Sequence, residues 1–173
     1  AGAAEADGGA LLEATGGAIS QVLVGNLNDS DGLASSDNLI VRNAAATLRA
    51  ATGMGTGTQH LRTEVDSLAL SNNGSGGVFI TERDDLVITG SHGSGSNAVD
   101  VVAAAPVDEA DASGALVLVL SSGALQVTGP INATGNVLLQ TLATGQGMEV
   151  QSDITSRSGH VHLRSAGAIE LFD

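Results

Sequence analysis

The chain has 173 residues, 42% of them hydrophobic, but no Trp, Tyr or Cys and only Phe79 and Phe172 as aromatic rings. That excludes a disulfide framework and argues against both the ring-rich core of a globular enzyme and a sugar-stacking platform. Nineteen acidic residues against six basic ones give a net charge of −13, which disfavours nucleic acid and anionic lipid surfaces as partners, and no apolar run approaches the roughly 20 residues of a membrane-spanning helix.

Residues 1–8 are small and acidic and are expected to form a frayed end or one short helical turn. The lack of an opening Met suits a mature product or a piece of a longer chain. From Gly9 a phrase begins, Gly9-Ala-Leu-Leu-Glu-Ala-Thr-Gly-Gly-Ala-Ile, that reads like the one from Gly159 to Ile169. Residues 19–24 read as a strand with Val22 and Val24 on one face, and residues 25–32 as a polar loop of turn formers. Residues 38–41 start another strand. Residues 43–52 contain the helix formers Ala and Leu but stay in the phase of the repeat, so strand and turn are expected there. Residues 61–70 alternate at Leu61, Thr63 and Val65, then shift phase to Leu68 and Leu70, as a strand does on turning a corner. A turn at 72–77 follows. Strands at 78–80 and 86–89 flank the charged corner Glu82-Arg-Asp-Asp85. Loop insertions are expected near 91–97 and 105–113, and Pro106 and Pro130 fall at corners.

The last sixty residues repeat one statement three times. Gly114-Ala-Leu-Val-Leu-Val-Leu leads to Gly123-Ala-Leu-Gln-Val, Gly135-Asn-Val-Leu-Leu-Gln to Gly147-Met-Glu-Val, and Gly159-His-Val-His-Leu-Arg to Gly167-Ala-Ile-Glu-Leu. Each copy is a glycine, an alternating strand, a turn and a second alternating strand. A period of roughly 22 residues belongs to a solenoid, in which each coil buries its apolar face only against its neighbours. The expected fold is all-β: a single-stranded parallel β-helix over residues 1–173 as one domain, with about 7–8 coils. Thin stacked layers also explain a core of Val, Leu, Ile and Ala without large rings. Alternation sends Leu116, Leu118, Val137, Val161, Leu163 and Ile169 inward as the structural core, and His160 and His162 outward.

The segments Leu48-Arg-Ala-Ala-Thr-Gly-Met-Gly-Thr, Leu61-Arg-Thr-Glu-Val-Asp-Ser-Leu-Ala, Asn72-Asn-Gly-Ser-Gly-Gly-Val-Phe-Ile and Asp85-Leu-Val-Ile-Thr-Gly resemble repeat units of very large bacterial surface exoproteins of the filamentous-haemagglutinin-like kind. The closing Gly-x-Val-x-Leu phrases share that likeness, which covers most of residues 9–173. The resemblance implies a right-handed parallel β-helix, secretion, and an adhesive or fibre-forming role. It offers no catalytic motif to carry over, and the amino-terminal secretion domain of that group is not recognisable here.

Candidate sites are few. Asp29 and Asp31, followed by Gly32, have the alternating acids of a calcium loop but lack its other ligands, and a plain polar turn explains the same residues. Asp108, Glu109 and Asp111 form a second acidic group. His160 and His162 share a strand face at two-residue spacing, with His60 and His92 able to join only through the fold. Glu82, Asp84 and Asp85 invite comparison with the carboxylates of polysaccharide-cleaving β-helices, which need an acid pair across a cleft. Asn28, Asn73 and Asn132 match the glycosylation acceptor pattern. The expectation is a non-catalytic structural or adhesive module of an extracellular fibre. It needs no cofactor unless calcium binds at Asp29 and Asp31. Its partners would be copies of itself or adjacent repeats end to end, and a host or matrix surface. A polysaccharide-binding or -processing β-helix and a calcium-dependent matrix scaffold are the alternatives.

Overall fold

The computed structural model describes residues 4–6, 9–20, 39–72, 76–89, 101–103 and 115–172. They contain β1 (Ala4–Ala6), β2 (Ala10–Ala14), β3 (Leu39–Ala50), β4 (Leu61–Asn72), β5 (Val78–Glu82), β6 (Leu86–Ile88), β7 (Val101–Ala103), β8 (Leu116–Leu120), β9 (Leu125–Val127), β10 (Ile131–Ala133), β11 (Val137–Thr141), β12 (Met148–Val150), β13 (Ile154–Ser156), β14 (Val161–Arg164) and β15 (Ile169–Leu171). No helix occurs among them. Every ladder between these strands is parallel, and the chain forms a parallel β-solenoid.

The winding has three sides. One stacks β5, β8, β11 and β14, extended below by the starts of β4 and β3 and by β1. The second stacks β6, β9, β12 and β15 on the later halves of β4 and β3 and on β2. The third is shorter, with β7, β10 and β13 above Asn72 at the end of β4. β3 and β4 each bend across a corner, so the phase shift at residues 66–68 is real: Leu61, Thr63 and Val65 are buried before it, and Leu68, Leu70 and Asn72 after it.

Ladder register aligns like with like across windings. One column runs Ile19, Met54, Val78, Leu116, Val137, Val161. A second runs Leu61, Ile80, Leu118, Leu139, Leu163. Each buried aliphatic side chain contributes roughly 1.5–3 kcal/mol by leaving water. No single one is large, so the stability lies in the repetition.

The described residues wind about four turns, fewer than the 7–8 coils expected from the period. One cause is visible among the described residues: chain is spent between rungs, as from Met54 to Leu61. Two local expectations also change. Ala4–Ala6, expected at a frayed end, pairs with Leu39, Ile40 and Val41. The Gly9 phrase does not occupy the place of the Gly159 phrase: Ala10–Ala14 lies on the second side, in ladder with β3, and Ile19 stands in the column of Val161 rather than that of Ile169. A glycine followed by alternating aliphatics reads alike on every side, so the sequence alone cannot tell one side from another.

Gly123 shows how tightly the corners pack. Its φ is 91°, and a Cβ there would stand 2.3 Å from the backbone N of Asp85. Gly145 has a similar φ of 81° but nothing within 4 Å of a Cβ. Both Ala variants bear the left-handed strain of about 1–2 kcal/mol. Gly123→Ala adds the displacement of a neighbouring backbone, a further loss of about 1–3 kcal/mol. Urea unfolding of the two variants is expected to separate them by that margin, and equal losses would contradict the corner contact.

Candidate functional site

The most unusual side chain in the described core is a carboxyl. Glu82 ends β5 pointing inward, fully buried, in a column that runs Leu39, Thr63, Glu82, Leu120, Thr141. Its Oε2 accepts the Thr63 hydroxyl at 2.5 Å. Its Oε1 accepts the backbone N–H of Arg83 at 2.8 Å and that of Val65 at 3.2 Å. Burial pushes its pKa from 4.5 up to about 7, against these three hydrogen bonds, and the charge of Asp84 adds to the rise. Sequence reading placed Glu82 in a charged corner; it is instead the last inward position of the strand, two residues beyond Ile80.

Around it the corner is acidic. Asp84 is exposed, and its carboxyl is raised by partial desolvation and then by the charges of Glu64, Asp85 and Asp66. Arg83 Nη1 meets Glu64 Oε2 at 2.9 Å. Asp85 Oδ1 accepts the N–H of Ala124 at 2.7 Å, and Ser122 Oγ donates to the carbonyl of Arg83 at 2.6 Å, so this corner is tied to the turn above it. At a different corner, before β11, Asn136 Oδ1 accepts the N–H of His160 at 2.8 Å in the same manner. Polar side chains at corners thus satisfy backbone donors where a ladder is interrupted. The three acids of this corner do not form a carboxylate pair across a cleft, since Glu82 is enclosed and Asp85 is engaged by backbone.

A second local device covers the first side. Thr56 and Gln59 form an antiparallel bridge, with N···O distances of 2.8 and 3.1 Å, and the resulting hairpin over residues 55–60 lies on Phe79. Phe79 faces outward between inward Val78 and Ile80, yet is buried. The His60 ring centroid lies 5.8 Å from that of Phe79, and its Nδ1 shares a hydrogen bond of 2.9 Å with Thr81 Oγ1. Burial lowers the His60 pKa, partly offset by a hydrogen bond with the Ile80 backbone. The only advance signal for this hairpin was the spacing Gly53, Gly55, Gly57.

His160 and His162 sit exposed on the last winding, their ring centroids 6.2 Å apart. His60 does not join them: Phe79 beneath it is in register through Val117 and Leu138 with His162, three rungs or roughly 14 Å away. Among the described residues no group of three or more His, Cys, Asp or Glu is placed to hold a metal ion. Asp29, Asp31, His92, Asp108, Glu109 and Asp111, the glycosylation candidates Asn28 and Asn73, and the loops near 91–97 and 105–113 lie outside the described residues. Asn132 lies on β10, partly exposed.

The remaining feature is the rim. Leu116, Leu118 and Val137 are in the core and Leu163 packs against it, as the alternation implies. Val161 and Ile169 continue inward columns but stand 39% and 40% exposed, with Leu171 at 69% and Phe172 at 52%. One winding earlier the partners of Val161, Ile169 and Leu171 are Val137, Met148 and Val150, which are 1%, 1% and 7% exposed. Inward direction is therefore not the same as burial: among the described residues the last layer has neighbours on one side only. Compared with protein-family models, curated proteins and solved structures, the chain matches none.

Proposed function

We propose that this chain is a non-catalytic structural module, a right-handed β-solenoid of an extracellular bacterial fibre or surface adhesin, which extends by stacking its rim against a further winding. The observation that carries the reading is the uncovered layer of Val161, Ile169 and Leu171. An aliphatic layer beside the free edge of parallel strands is a template for one more rung. An adjacent repeat or a second copy presents such a rung, and between copies a contact of unlike ends need not close, so it propagates into a filament. The acidic sides oppose lateral clumping and favour end-to-end growth. The likeness of the repeat phrases to surface exoproteins supports the extracellular, adhesive setting. Enclosure of Glu82 speaks against polysaccharide processing, because no sugar can reach that carboxyl.

Sedimentation and electron microscopy over a range of concentrations test the stacking. Rods longer than one module are expected for the wild type. Ile169→Lys with Leu171→Lys is expected to return dispersed monomers with an unchanged far-UV spectrum, because these rim side chains bury little. Dispersed monomers of the wild type at high concentration would remove the reading.

A further inference from the structure

We propose that Glu82 is a proton-operated joint between two adjacent windings, firm when its carboxyl is neutral and loosened when the proton leaves. The inference goes beyond the structural role above and does not depend on it.

The geometry places this group where the ladder is interrupted. β4 pairs with β5 up to Thr63 and Glu82, and pairing resumes only between Ser67 of β4 and Val87 of β6. Across that gap the Glu82 carboxyl meets the Thr63 hydroxyl and the Val65 N–H of one winding and shares the Arg83 N–H of the next with the Thr63 carbonyl; in the neutral form the proton on Oε2 is donated to Thr63 Oγ1. Above it stands Leu120, and below Thr63 stands Leu39, so the outer layers of the column offer the carboxylate only aliphatic side chains. The charged groups facing the corner are Glu64 and Asp66 from β4, and Arg83, Asp84 and Asp85 from the turn after β5. β8 contributes only Leu120 and its apolar neighbours. The Arg83 guanidinium is exposed and meets Glu64 on the outside. A negative charge on Glu82 therefore lies in an aliphatic column beside other negative charges.

The direction of the pH effect follows from proton counting. Glu82 ordinarily titrates near 4.5 and in the fold near about 7. Between those values the folded chain holds a proton that the unfolded chain has released, so stability falls as pH rises. The contribution is complete below 4.5, declines across that window, and is gone above about 7. The shift corresponds to a change of up to roughly 300-fold in the folding equilibrium constant.

Glu82→Gln imitates the neutral carboxyl while keeping an acceptor for both N–H groups. Urea unfolding from pH 4 to 9 is expected to show the variant gaining on the wild type across the window, up to ~300-fold in the equilibrium constant, with the two alike at the acid end. Parallel profiles would overturn the proposal. Two measurements on the wild type apply if the variant does not fold. The Glu82 carboxyl carbon resonance is expected to titrate near neutrality, and a midpoint at the ordinary glutamate value would overturn the proposal. Hydrogen exchange, corrected for intrinsic rates, is expected to show the Val65 amide losing protection above neutral pH before the Val137 amide does. Uniform loss across the core would show global destabilisation instead of a joint.

Discussion

Val137→Asp is expected to unfold the protein, whereas Val161→Asp, the next residue of the same column, is expected to cost less than about 1 kcal/mol. The two valines pair directly in the ladder between β11 and β14 and point the same way. Val137 is 1% exposed and enclosed above and below, while Val161 is 39% exposed. Aspartate at Val137 loses the transfer free energy of the valine, about 1.5–3 kcal/mol, and adds several kcal/mol for a charge without a partner. The sum reaches about 5 kcal/mol or more, comparable with the whole stability of a domain. At Val161 the carboxylate turns into water. Urea midpoints followed by circular dichroism measure both. Similar losses would mean that the last layer is covered in solution, which is itself the outcome expected once filaments form, so the comparison belongs at low concentration.

Phe79→Ala is expected to cost about 3–5 kcal/mol, the usual range for a buried ring, although Phe79 points away from the aliphatic columns. Its enclosure depends on the hairpin over residues 55–60, so removing the ring leaves that hairpin without a floor. The amides of Thr56 and Gln59, which bond to each other's carbonyls, are expected to exchange far faster in the variant. His60 reports the same event. Burial lowers its pKa in the fold, so the unfolded chain takes up a proton first as pH falls. The stability contributed by neutral His60 is present above the ordinary histidine value of 6.5 and is lost as pH falls from there through the folded value. In Phe79→Ala the imidazole is expected to titrate near its ordinary value, as followed by proton resonances of the ring. An unchanged His60 titration together with unchanged hairpin exchange would show that the ring does not support the hairpin. The sign is opposite to that at Glu82, so the wild-type profile contains two opposed titrations, one at Glu82 and one at His60, whose ring bonds the neighbouring Thr81.

Much of the architecture was legible in residues 114–173. Gly-x-apolar-x-apolar phrases at a steady period define parallel rungs, and alternation assigned Leu116, Leu118 and Val137 to the core and His162 to the surface, where the structure places them. The corner in β4 was visible as the phase shift between Val65 and Leu68. The third side was much less so, since Ile131–Ala133 and Ile154–Ser156 are too short to stand out from turn residues. Glu82 was misplaced because charge outweighed alternation in reading a corner of four polar residues. Phe79 gave no sign of being covered, because what covers it is a hairpin preceding it by some twenty residues.

The sequence by itself determined the kind of object: alternation and period are local, and each winding writes them again, so parallel stacking of aliphatic layers follows without knowledge of any neighbour. Only the tertiary structure decided which side a phrase occupies, that the described residues wind about four turns, that the Glu82 carboxyl is enclosed, and that Val161 and Ile169 are far more exposed than the residues beneath them in their columns. Each of these depends on what lies one winding above or below, and a side chain's burial is set by that neighbour, not by the residues beside it in the chain.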